Sequence, residues 1–167
     1  MPNHWHLVLW PRQDKELSRF VGWLSTTHVR RWREHRRKVG EGHLYQGRFK
    51  SFPVQEDPHL LTLLRYVEGN ARRARLVARA EQWPWCSVAS DPPFRIAVDP
   101  WPVERPANWL QIVNRPLHDD ELEDLRRRLH RGQPFGTEAW TQATARRLGL
   151  THTLRNPWRP RKTKTDV

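Results

Sequence analysis

Ten tryptophans in a chain of net charge +12 set the tightest constraint on what this sequence can become. Charged residues at 29% and 14 prolines pull toward disorder. Large aromatics at that density need a packed core or bases to stack on. The two are reconciled by a folded basic domain that ends in a loose basic tail. A length of 167 residues is room for one domain with a short appendage. One cysteine excludes a disulfide framework and a cysteine-based zinc finger. No apolar run approaches the roughly 20 residues of a membrane span. No secretory signal opens the chain at Met1-Pro2-Asn3-His4, so the expected place is the cytoplasm, at the nucleoid. The kind of cation matters more than the count. Lysine stands only at 15, 38, 50, 162 and 164, so the other 25 of the 30 cations are arginine. A guanidinium binds phosphate through a planar fork and stacks on bases, which favours a nucleic-acid partner.

Asn3 to Trp10 alternates as a strand, with His4, His6, Val8 and Trp10 on one face and Trp5, Leu7 and Leu9 on the other. Asp14 opens a helix running to about Lys38, with Leu17, Phe20, Val21, Leu24 and His28 as its buried stripe. Arginines crowd the end of that helix. They either match its dipole or touch phosphates. Leu44 to Val54 reads as a second strand carrying Gln46, Arg48 and Lys50 on one face, with Gly47 and Pro53 marking a bulge or an edge. Asp57-Pro58 is a strong start for a helix to about Leu76, since Asp caps and Pro fits the first helical position. Leu60, Leu64, Val67 and Ala71 form its packing face; Tyr66, Asn70 and Arg73 lie on a separate stripe. Gly69 and Asn70 are poor mid-helix residues, which draws attention to that stripe. From Gln82 to Trp109 the chain is rich in Trp and Pro and reads as an ordered wrap. Short helices follow, one from Asp119 to Arg131 closed by Gly132 and another capped by Thr137 and closed by Gly149. Residues 155 to 165 form a basic, proline-broken tail.

Two groups carry chemistry. Alternation points His4 and His6 the same way, where neutral imidazoles can share a divalent ion; on spacing alone, two partly buried histidines bonded to their neighbours are the more frequent arrangement. Tyr66 and Asn70 stand one helical turn apart, and the bland alternative is a phenol at the core margin beside an amide bonded to backbone. Tyr45 is core or a base-stacking ring, and Cys86 a small buried residue.

Several ordered motifs resemble one family. Met1-Pro2-Asn3-His4-Trp5-His6-Leu7-Val8-Leu9 resembles the histidine–hydrophobe–histidine strand of the IS200-like single-tyrosine transposases, most closely the branch associated with repetitive extragenic palindromes. Tyr45-Gln46-Gly47-Arg48-Phe49-Lys50-Ser51 resembles their next strand. Leu64-Arg65-Tyr66-Val67-Glu68-Gly69-Asn70, with Arg73 to Val77, resembles the helix bearing their nucleophile. Trp83 to Ser87 and Arg131 to Gly136, followed by Trp140, are similar to later family segments. The sequence departs from the family at Glu68 and Ala71, where His and Pro are frequent. Glu68 there would either accept a proton or weaken phosphate binding.

The resemblance implies an α+β fold, an antiparallel sheet with packed helices of the ferredoxin-like type, here without the strand–helix–strand portion that precedes the histidines in family members. Residues 1–82 would be the catalytic part of a truncated transposase domain, 83–116 a Trp/Pro-rich loop region, and 117–167 a helical appendage with its tail. It also implies nicking and rejoining of single-stranded DNA beside palindromic hairpins through a 5′-phosphotyrosine. Tyr66 would be the nucleophile, His4, His6 and Asn70 the ligands of Mg²⁺ or Mn²⁺, and Arg48, Lys50, Arg65, Arg72, Arg73 and Arg75 the phosphate contacts. Related enzymes outside the branch act as dimers, so a homodimer is among the expected assemblies. The rival functions are a remnant that binds DNA hairpins without cutting, a metal-dependent hydrolase with an activated water, and a basic RNA-bound structural protein.

Overall fold

The computed structural model describes residues 3–37, 42–94 and 96–155; in them the helices expected from local signals form and the expected sheet does not. The chain divides into two units, one over Pro2–Lys50 and one from Ser51 onward.

In the unit Pro2–Lys50, helix α1 spans Glu16–Arg36. It begins two residues later than the sequence suggests: the N-cap position falls on Lys15, at φ 65° and with no side-chain capping bond. The Glu16 carboxylate accepts the backbone N–H of Arg12 at 2.5 Å and of Gln13 at 3.2 Å. Those bonds hold its carboxyl below the usual carboxylate range. Arg37, at φ 52°, ends the helix in the left-handed region. Of the expected stripe only Val21 is buried, while Phe20 is 39% exposed. Trp23 is 63% exposed.

The α+β expectation fails here. Asn3–Trp10 and Leu44–Lys50 have no regular secondary structure, and among the described residues the β pairing is a single parallel bridge between Val54 and Phe135. A strand is stabilised by ladder partners, not by alternation alone, and an unpaired extended segment has no ladder. The two segments meet through side chains instead. The Trp5 and Tyr45 rings stand edge-on at 6.1 Å, and the Tyr45 hydroxyl shares a 2.6 Å hydrogen bond with His28 Nδ1.

From Ser51 the chain builds a core. Helix α2 spans Pro58–Glu68, and Asp57 caps it as expected, accepting the His59 N–H at 2.8 Å. The helix expected to reach Leu76 is interrupted at Gly69 and resumes as α3, Asn70–Arg73. Helix α4, Trp109–Val113, explains the glycine: a Cβ at Gly69 would lie 3.2 Å from the Val113 carbonyl and 2.9 Å from that of Arg65. Helix α4 lies inside what the sequence presents as loop. Helix α5, Asp119–Arg131, starts as His118 N–H donates to Glu121 at 3.0 Å and ends at Gly132, φ 66°. Helix α6, Glu138–Arg147, is capped by Thr137. Leu60, Leu64, Ala71, Trp109, Val113 and Leu125 are all buried and form the centre of this unit. The bridge at Val54 brings Gln55 to the start of α6, where its Oε1 accepts the Thr137 N–H at 2.8 Å. Most of the basic tail lies outside the described residues.

Candidate active site and nucleic-acid interface

Helix α2 and its continuation α3 place Tyr66, Asn70 and Arg73 in one cluster, as the spacing predicts. The Arg73 guanidinium lies over the Tyr66 ring, 4.1 Å from its centroid. It donates to the Tyr66 carbonyl at 3.2 Å and to Asn70 Oδ1 at 2.6 Å. Asn70 is 9% exposed, and its Nδ2 is buried without a hydrogen-bond partner. Burial pushes the Arg73 guanidinium below the ordinary arginine value, and the charge of Arg126 pushes it the same way, while the Tyr66 phenol opposes both. Arg126 stands on α5. It is exposed and makes no hydrogen bond or ion pair with any described residue, whereas its neighbours Arg127 and Arg128 both pair with Asp124. The sequence held that signal: Asp124 is three and four residues before Arg127 and Arg128, within reach of those two and not of Arg126.

Glu68 has a different role from either one expected of it. It is 4% exposed, and its carboxylate accepts Ser87 Oγ–H at 2.7 Å and Trp109 Nε1–H at 2.6 Å. Burial raises its carboxyl above the usual range, against the pull of those two donors and of Arg105. Two residues after Tyr66, it lies near the opposite side of the helix and fastens the Trp-rich segment to α2.

In the unit Pro2–Lys50, the His4 and His6 rings stand 5.1 Å apart, edge to face. His4 Nδ1 bonds to Asn3 Oδ1 at 2.8 Å. Partial burial, and then the charge of the chain's amino group, lower the His4 pKa and favour the neutral, metal-binding imidazole. Among the described residues no group of three or more His, Cys, Asp or Glu side chains could hold a metal ion. Two imidazoles alone fall short of a metal site, which would need further donors. Asn70 Oδ1 has a second lone pair to offer, but it already accepts from a cation.

The remaining candidate cations divide. Arg48 and Lys50 are exposed, on Pro2–Lys50. Arg65 is committed within its own unit, donating to the Pro116 carbonyl at 2.5 Å and standing 3.8 Å from Glu121. Arg72 is half-buried; Arg75 is exposed, with φ 58°. No helix among the described residues is long and apolar enough to cross a membrane.

No curated protein and no solved structure matches the chain. The family model described as "Transposase IS200 like" matches residues 1–70. The match begins before the histidine pair and ends on Asn70, so the segment of this chain that carries His4, His6, Tyr66 and Asn70 is similar to the IS200-like transposases.

Proposed function

We propose that the chain is a single-tyrosine DNA strand transferase of the palindrome-associated branch, nicking and rejoining single-stranded DNA beside hairpins. The observation that carries this reading is the Tyr66–Asn70–Arg73 cluster, a phenol with an amide and a guanidinium on one stripe, within a segment similar to transposases over residues 1–70. Tyr66 Oη attacks the scissile phosphorus and loses its proton to solvent. The bond from phosphorus to the 3′ oxygen breaks, that oxygen takes up a proton, and the 5′ phosphate remains on Tyr66. A 3′-hydroxyl of another strand reverses these steps and releases the phenol. His4 and His6, with Asn70, would hold Mg²⁺ or Mn²⁺, which polarises a phosphate oxygen when bound. Arg73 orients the phenol ring and offers positive charge as the phosphate gains negative charge in the transition state. Arg48, Lys50, Arg72 and Arg75 contact the backbone of the strand, and Arg65 acts chiefly as a strut.

One observation favours a second reading, a hairpin-binding remnant: the amide oxygen assigned to the metal is engaged by Arg73. Incubation with a hairpin-flanked oligonucleotide and Mn²⁺ separates the two. Strand transfer gives a covalent DNA–protein band on a denaturing gel, and Tyr66→Phe abolishes the band while binding persists. A remnant binds and gives no band. A hydrolase cuts without the band and survives Tyr66→Phe.

A further inference from the structure

We infer that the exposed side of α1 is a track for an unpaired DNA strand, with Trp23 as a stacking platform and Arg19 and Arg30 as phosphate contacts on either side of it. The inference adds a surface within Pro2–Lys50 to the nucleic-acid reading above and rests on that reading for the kind of partner. Arg19, Trp23, Thr26, Arg30, Arg33 and Arg37 follow one another at steps of three and four residues. They form one stripe about 27 Å long. Arg33 is half-buried and the other five are exposed. The buried Val21 lies on the other side of the helix.

Neither the helix dipole nor ion pairing explains the stripe. The dipole favours cations in the last turn, where Arg33 and Arg36 stand. Arg19 lies in the first turn, where a cation is unfavourable, and Arg30 lies one turn too early. Arg30 meets Glu34 at 3.1 Å, but the two side chains are 80% and 58% exposed, and a basic residue before an acidic one is the weaker order on a helix. Glu16, three residues before Arg19, gives its carboxylate to the backbone N–H groups of Arg12 and Gln13. The indole within this stripe needs a reason of its own. Trp23 is 63% exposed, and the ring beside it is Phe20, at 6.2 Å. A flat aromatic face open to water between cations matches an unpaired base flanked by phosphates. Paired bases hide their faces in the stack, so the track selects a single strand over a duplex. Ser25, Thr26, Val29, Arg30, Arg33 and Glu34 line a cleft of about 470 Å³, a recess for the sugar–phosphate chain next to Arg30.

The test uses the full chain, with labelled polythymidine and a hairpin duplex of equal length titrated over a range of salt. Trp23→Ser is expected to weaken polythymidine binding about tenfold and to leave the log–log salt slope unchanged, because stacking releases no counterions. Trp23→Phe should keep most of the affinity. Arg19→Ala and Arg30→Ala should each weaken binding and reduce the slope by about 0.7. Glu34→Gln should tighten binding about twofold by freeing Arg30. Trp85→Ser removes an indole that is 64% exposed in the other unit, and it should change nothing. Binding of the duplex should be indifferent to Trp23→Ser. Trp23→Ser behaving like Trp85→Ser overturns the track, and so does an unchanged slope in both arginine variants or an equal Trp23→Ser loss on the duplex. Any of these results, with the covalent Tyr66 band still formed on a hairpin-flanked oligonucleotide, removes the track and leaves strand transfer standing. The expected losses without that band keep the track and remove strand transfer. Absence of polythymidine binding by the native chain overturns both.

Discussion

The two units handle their apolar side chains in opposite ways. In Pro2–Lys50, α1 is long, yet Val21 is its one buried residue, and Trp5, Leu7, Leu9, Trp10, Phe20 and Trp23 are exposed. From Ser51 onward the helices are shorter, and Leu60, Trp109, Val113 and Leu125 are each 2% exposed or less. Helix length therefore does not measure stability in this chain. Helix α1 is specified by local hydrogen bonds and α4 by what it packs against.

The largest expected break of this contrast comes from Trp109→Ala. It removes a buried indole and leaves Glu68 without one of its two donors, so the second unit should lose about 3–5 kcal/mol in chemical denaturation. The helical signal of α1 should outlast that transition if its stability is as local as its bonds suggest. A smaller effect concerns pH. The folded chain holds the Glu68 proton more tightly than the unfolded chain does. This contribution to stability is complete below the ordinary carboxylate pKa and is lost as pH rises through the raised, folded value. Denaturation midpoints measured across that window should fall with rising pH for the native sequence. Glu68→Gln should flatten the dependence. The smallest effect is expected at Trp23→Ser, within about 0.5 kcal/mol, since that indole is already in water. A larger loss there would show that the exposed side of α1 is covered in solution.

What the sequence revealed and what it hid follow the same division. Asp57-Pro58, the acids before α5, Gly132 and Thr137 are legible because each acts within a turn of its own residue. The strand readings at Asn3–Trp10 and Leu44–Val54 fail because a sheet depends on a second segment, and alternation names none. Gly69 looked like a flaw in a helix; its reason, the Val113 carbonyl, is 44 residues away in sequence. Glu68 was misread for the same cause, since Ser87 and Trp109 lie far along the chain. The Tyr66 cluster was legible because i, i+4 and i+7 spacing is local. How Arg73 divides its bonds between Tyr66 and Asn70 was not.

The Glu68 anchor bears on what happens to a captured strand. A DNA end linked to Tyr66 would tug on its helix with every thermal motion of the polymer, and the torque would tend to roll that helix about its axis. A carboxylate gripped by an indole and a hydroxyl on the far side opposes the roll. On the strand-transfer reading proposed above, the phenol would then keep its aim through the waiting period between cutting one strand and receiving the next.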